Sequence, residues 1–180
     1  MLLLVDNGSV YTKNIIDFLS TKNIPFTTLS YDAVQLGELD KFQSFILSGR
    51  RQNNKEMNAV NSKIINHSVL ENKPLLGICY GAEILALTVG GTIRKMKTMQ
   101  KGNSKVTTVH KNPLCDGTIE VFQSHAFEIS QLGKSFTQIA KSESCNYEII
   151  QHGNSRIFGT QFHPEMTRDG LALIANFLLL

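Results

Sequence analysis

Cys79 lies at the centre of Gly77-Ile78-Cys79-Tyr80-Gly81, between an apolar run and a segment of helical composition. A sharp strand-to-helix turn lifts one side chain clear of a sheet, and it needs small flanking residues because a Cβ there would obstruct the turn. A helix starting near Tyr80 would place its positive end beneath the sulfur, which predicts a thiol pKa lowered toward neutrality. The same residues would also suit a buried structural cysteine between two packing glycines. A thiol nucleophile needs a base and a group to orient that base. His163-Pro164-Glu165 offers both. Proline fixes φ at the intervening position, and the i, i+2 spacing turns imidazole and carboxylate to one side of an extended backbone. A carboxylate so placed would select the imidazole tautomer and stabilise the imidazolium. The alternatives are a surface ion pair, or a metal ligand with a supporting carboxylate. Zinc is disfavoured, since no second His or Cys stands at ligand spacing from His163.

The surrounding pattern says what must position these groups. Residues 1–5 form a short apolar run that stops at Asp6-Asn7-Gly8-Ser9, as a strand covered on both faces does. Tyr11, Ile15, Phe18 and Leu19 then recur at helical spacing, with Ser9 or Thr12 as the expected N-cap. Strands are predicted over 24–29, 45–47 and 74–78, and helices over 57–70 and 82–89. This alternation predicts a parallel α/β sheet with right-handed crossovers and helices on both faces. After Gly90-Gly91 the character changes. Six short β-branched or alternating runs (92–94, 105–109, 119–123, 136–140, 147–151 and 156–161) predict antiparallel strands, either added to the sheet edge or forming a small second sheet. An amphipathic helix over 170–180 follows. No repeat or linker interrupts the chain, so one domain over residues 1–180 is expected.

With these motifs in view, the sequence resembles the class I glutamine amidotransferases over essentially its whole length. The resemblance is carried by the Cys79 pentapeptide, by Phe162-His163-Pro164-Glu165, by the opening Leu2–Asn7 strand and by Leu47-Ser48-Gly49. It implies a flavodoxin-like, open and mostly parallel α/β sheet and hydrolysis of the glutamine side-chain amide. Cys79 would attack, His163 would transfer protons and Glu165 would hold His163. Backbone N–H groups of Tyr80 and of the Gly49-Arg50 loop would meet the oxyanion. Asp6-Asn7-Gly8, Gln123-Ser124-His125 and Ala140-Lys141-Ser142-Glu143-Ser144-Cys145 are similar to the stand-alone glutaminase subunits of two-subunit GMP synthases, which brings Ser124 and His125 into the candidate site. Tyr11-Thr12 and Asn14 are also similar to the anthranilate and aminodeoxychorismate synthase glutaminases. For the GMP synthase branch, the ammonia acceptor would be XMP, and ATP and Mg would be bound by a separate ATP-pyrophosphatase subunit rather than by this chain.

Three positions depart from the family pattern. The family's Gly-Gly-Pro loop is Gly49-Arg50-Arg51 here, which predicts strain if Arg50 must adopt the second glycine's positive φ. The glutamine that contacts the substrate's amino-acid moiety is Glu83, whose carboxylate could pair with an α-ammonium and would repel an α-carboxylate. His125 is followed by Ala126-Phe127 where an acid is common. Two other readings therefore stay open. One is a γ-glutamyl hydrolase acting without a partner, since those relatives can carry Glu at the position of Glu83. The other is a catalytically degenerate regulatory subunit.

Composition bounds the rest. With 42% hydrophobic and 18% charged residues the chain is excluded from the disordered class. A net charge of +3 is too small to argue for nucleic acid or an anionic membrane. Cys79, Cys115 and Cys145 include no CxxC pair and read as free thiols in a reducing cytoplasm. Residues 74–91 are long and apolar, yet they carry Glu83 and four glycines, which argues against a bilayer span. Met1–Val5 lacks the basic flank of a signal peptide. Between Glu83 and Asp116 stand Arg94, Lys95, Lys97, Lys101, Lys105 and Lys111 with no acidic residue among them. They form either a solvated face or a docking face for an acidic synthase subunit. Without interleaved aromatics they do not suit nucleic acid.

Overall fold

A computed structural model describes residues 1–180. The first half alternates as the periodicity predicts: β1 (Leu2–Asn7), α1 (Thr12–Thr21), β2 (Phe26–Ser30), β3 (Ser44–Arg50), α2 (Lys55–Leu70), β4 (Leu75–Ile78) and α3 (Tyr80–Thr88). Only short 3-10 turns, Tyr31–Ala33 and Leu36–Lys41, join β2 to β3. The second half contributes β5 (Thr92–Thr108), β6 (Thr118–Gln131), β7 (Phe136–Lys141), β8 (Ile149–His152), β9 (Ile157–Thr160) and α4 (Arg168–Phe177). All nine strands belong to one sheet, ordered β2-β1-β3-β4-β9-β8-β7-β5-β6. The pairs from β2 to β9 are parallel, and those from β9 outward are antiparallel. Strands β5 to β8 therefore extend the parallel sheet rather than form a second one, whereas the run expected as an antiparallel strand over 156–161 is β9, which pairs parallel with β4 and completes the parallel set.

Two hydrophobic clusters sit on opposite faces of the sheet, as the period-2 alternation of strand side chains requires. Leu2, Leu4, Ile46, Leu76 and Phe158 pack under α1 and α4 through Ile15, Leu19, Leu173, Ile174 and Phe177. Leu3, Val5, Phe45, Leu47, Leu75 and Ile157 pack under α2 and α3 through Met57, Ile64, Ile65, Leu85 and Ala86. No helix is long and apolar enough to cross a membrane.

Two sequence expectations need correction. The runs expected at 92–94 and 105–109 are parts of one strand, β5, paired along most of its length with an equally continuous β6. Apart from Met96 and Met99 the intervening residues are polar or glycine, so ladder hydrogen bonds rather than a continuous apolar stripe define this hairpin. Neither Ser9 nor Thr12 caps α1: the N-cap is Tyr11, which has no side-chain cap bond. Thr12 Oγ1 instead donates to Asp6 Oδ1 at 2.8 Å, and Ser9 Oγ accepts from the Tyr11 N–H.

Candidate active site

The carboxyl ends of β1, β3, β4 and β9 converge, as ligand sites of open α/β sheets do. Cys79 links β4 to α3 with φ 52° and ψ −104°, a left-handed conformation that a non-glycine residue holds only when its surroundings enforce it. Three features do so. The Cys79 N–H donates to the Thr160 carbonyl at 2.7 Å, tying the elbow to β9. The Cys79 carbonyl accepts from the Ala82 and Glu83 N–H groups at 3.0 Å. Gly77 and Gly81 allow backbone to approach closely on both sides: a Cβ at Gly77 would overlap the Gly81 carbonyl, and one at Gly81 would overlap the Leu47 carbonyl.

His163 follows β9 and is buried, with its N–H donating to the Phe122 carbonyl at 2.9 Å. Its Nδ1 is 2.8 Å from Glu165 Oε1, so Nδ1 carries the proton and Nε2 is free to act as base. Glu165 sits on a one-turn 3-10 helix, Pro164–Met166, and its Oε2 is buried without a partner. The edge of Tyr11 meets the His163 ring with centroids 4.6 Å apart, and Tyr11 Oη donates to Ser124 Oγ at 3.4 Å. Gly49 backs onto the imidazole, where a Cβ would lie 2.9 Å from Cε1.

The Cys79 thiol contradicts the expected lowering. Burial pushes its pKa well above the ordinary value, and the Glu83 and Glu165 carboxylates push the same way. The Tyr80 N–H at the sulfur and the Arg50 guanidinium oppose this and are outweighed. A thiol held this way favours its neutral form, so any nucleophilic role would require a base to take its proton.

Arg50 is not in a loop and not strained. It is the last residue of β3, registered with Asn7 and Gly8, and its φ is not positive. Its guanidinium lies 4.3 Å from the Tyr80 ring centroid, 2.5 Å from Asn53 Oδ1 and 4.0 Å from Glu83 Oε2. Tyr80 Oη in turn donates to Asn58 Oδ1 at 2.8 Å. Glu83 is 4% exposed and takes a 3.3 Å bond from Gln161 Nε2. Burial raises its carboxyl pKa, against the pull of Gln161, Arg50 and His163.

Burial lowers the pKa of His125. Both its ring nitrogens are engaged elsewhere, Nδ1 with the Phe127 carbonyl at 2.7 Å and Nε2 with Gln123 Oε1 at 2.9 Å. It therefore offers no free nitrogen to a ligand, and Ser124 reaches the site only through Tyr11. Sequence reasoning missed Tyr11, Gln161 and Asn58 as site residues. Gln161, two positions before His163 at the end of a strand, shares its side of the backbone and was the one open to a spacing argument.

The family model described as Glutamine amidotransferase class-I matches residues 3–180. The chain is 32% identical to a glutamine-hydrolyzing GMP synthase subunit of Thermoplasma acidophilum, over 97% of this chain and 89% of that protein. It is 30% identical to the corresponding subunit of Thermococcus kodakarensis, over 98% and 96%. The glutamine-hydrolyzing GMP synthase of Hamiltonella defensa is also 30% identical, but the match covers 36% of that longer protein. A solved structure from Thermoplasma acidophilum, assigned as a GMP synthase subunit, superposes with a TM-score of 0.87 at 30% identity, covering 98% of this chain and 91% of that one.

Proposed function

Since this chain belongs to the class I glutamine amidotransferase family, we propose that it hydrolyses the side-chain amide of L-glutamine and delivers the ammonia to a separate synthase subunit for conversion of XMP to GMP. The observation that carries the reading is a buried, carboxylate-oriented imidazole just after β9, with a cysteine on a strained elbow tied to the end of that same strand and within reach of the Glu165 charge. Substrate entry brings His163 Nε2 the thiol proton, and the thiolate attacks the amide carbon. The oxyanion is met by the Tyr80 N–H and by one from the Gly49-Arg50 strand end. Collapse expels ammonia with the proton from the imidazolium and leaves a γ-glutamyl thioester. His163 then takes a proton from water, which attacks the thioester to release glutamate and restore the thiol. Glu165 stabilises each imidazolium along the way.

The finer assignments share this footing. Renumbered among themselves, the parallel strands run 2-1-3-4-5, which supports a flavodoxin-like description and a single domain over residues 1–180. ATP and Mg belong to the synthase subunit, which docks on the basic segment from Arg94 to Lys111. On β5, Arg94, Lys95, Lys97, Lys101 and Lys105 are all exposed. A cytoplasmic location accords with three free cysteines. A γ-glutamyl hydrolase reading is favoured by one observation, the buried Glu83.

The deciding experiment measures glutamate release from L-glutamine, with Cys79→Ala as control. It is run alone and with an ATP-pyrophosphatase subunit plus ATP, Mg and XMP. Release that rises with the partner and vanishes in the control supports the proposal. No release under either condition overturns it, and γ-glutamyl peptide hydrolysis exceeding glutamine hydrolysis would replace it.

A further inference from the structure

Arg50 and Glu83 stand 33 positions apart in sequence, and the fold brings them face to face where both act on Cys79. Both act on the thiol, Glu83 raising its pKa and Arg50 lowering it. Their separation, 4.0 Å from Nη2 to Oε2, is too long for a hydrogen bond. Each is held by other groups. Arg50 is fixed by the Tyr80 face at 4.3 Å and by Asn53 Oδ1 and Asn58 Oδ1, all through its ring-facing side and Nη1. Glu83 is fixed through Oε1 by Gln161, whose own Oε1 accepts the Ile129 N–H at 3.2 Å. Neither side chain needs the other to stay in place, so Nη2 and Oε2 form an oriented, opposite-charge pair with bonding capacity unspent.

We propose that Arg50 and Glu83 act together as a zwitterion clamp, Arg50 Nη2 taking the α-carboxylate and Glu83 Oε2 the α-ammonium of the amino acid whose side chain is presented to Cys79. This rests on the glutaminase reading and adds a specificity-determining role for Arg50. The clamp removes the conflict that Glu83 alone would create, because a carboxylate repelled by Glu83 is paired by Arg50. It selects free α-amino acids and excludes amides lacking either charge. A guanidinium without the carboxylate, or the reverse, leaves a largely desolvated charge uncompensated at the site.

The test compares three amides: L-glutamine, glutaramate (no α-ammonium) and 4-aminobutanamide (no α-carboxylate). Each is assayed for turnover and for protection of Cys79 against iodoacetamide. The variants are Glu83→Gln, Arg50→Gly, Arg50→Lys and the double Arg50→Gly/Glu83→Gln, with folding checked by thermal melting. The clamp predicts that Glu83→Gln erodes the wild-type preference for glutamine over glutaramate by about tenfold or more. Arg50→Gly erodes the preference over 4-aminobutanamide similarly. Arg50→Lys is intermediate, and the double variant protects Cys79 with glutamine better than either single variant. Preferences unchanged by these substitutions overturn the clamp. So does a uniform gain on all three amides in Arg50→Gly, which would make the guanidinium a plug. Wild-type turnover with glutamine tests the glutaminase reading on its own. If that turnover is absent, the protection measurements still decide the clamp.

Discussion

Replacing Glu165 by glutamine removes one negative charge and little else. The carboxylate is buried, its Oε1 lies 2.8 Å from His163 Nδ1, and the amide oxygen of a glutamine can still accept that bond. In the proposed mechanism, what disappears is the charge opposite the imidazolium formed in each proton transfer. At a charge-to-charge distance of about 4 Å and an effective dielectric near 20, that attraction is about 4 kcal/mol. At 1.36 kcal/mol per decade it corresponds to roughly a thousandfold in rate. Because the proposed mechanism forms the imidazolium only during the proton transfers, the loss should fall on kcat and leave KM within about threefold. Steady-state glutamate release, with the partner subunit present if it is required for turnover, measures both constants. Thermal melting of the same variant separates catalysis from folding. A Glu165→Gln enzyme retaining more than a tenth of wild-type kcat would refute the role given to this carboxylate. Loss confined to KM would refute the claim that the charge acts on the transition state.

Other substitutions probe other links. Gly81→Ala drives a Cβ into the Leu47 backbone carbonyl, which cannot yield as a flexible side chain would, and should cost about 1–3 kcal/mol by denaturant unfolding. Gly49→Ala pushes on His163 Cε1 instead, so kcat should fall at least about tenfold with little change in Tm. Glu148 is fully buried, its Oε2 has no partner, and burial raises its carboxyl pKa, so its contribution to stability is greatest below the ordinary carboxylate pKa and is lost as pH rises through the raised value. Glu148→Gln should melt like wild type in acid and above it near neutrality, by about 2–4 °C for each kcal/mol relieved. A Tm difference independent of pH would contradict that assignment.

The elbow was legible because its physics is local: small residues around a turn. The His-Pro-Glu pair was legible in its partners but not in its backbone, since Glu165 reaches His163 from a 3-10 turn rather than along an extended segment. Most strands of the parallel half were legible for a related reason, since a strand buried on both faces must be a short apolar run. The β5–β6 hairpin was not, because its middle has no continuous apolar face for a pattern to register. The Cys79 thiol was misjudged in direction for want of nonlocal terms. The helix end is written in the sequence, and so is Glu83 four positions on, but the burial and the Glu165 carboxylate arise only when β4 and β9 come together. The pairing of Arg50 with Glu83 is likewise a product of β3 lying beside β4, with no trace in sequence spacing.

The bond from the Cys79 N–H to the Thr160 carbonyl also sets an order of events during synthesis. Strand β4 emerges with β3 on one flank, but its other parallel neighbour is β9, on the far side of four inserted strands. At 5–20 residues per second, the interval between Cys79 and His163 leaving the ribosomal centre is roughly 4–17 s. Throughout it β4 is an open parallel edge, its elbow lacks the anchor that holds φ positive, and the thiol has no base. Reactivity thus arrives with the last strand, after the chain has built most of its fold. The same arrangement exposes a sticky sheet edge for seconds, and nascent chains stalled before residue 157 should be markedly easier to proteolyse than those extended past 177.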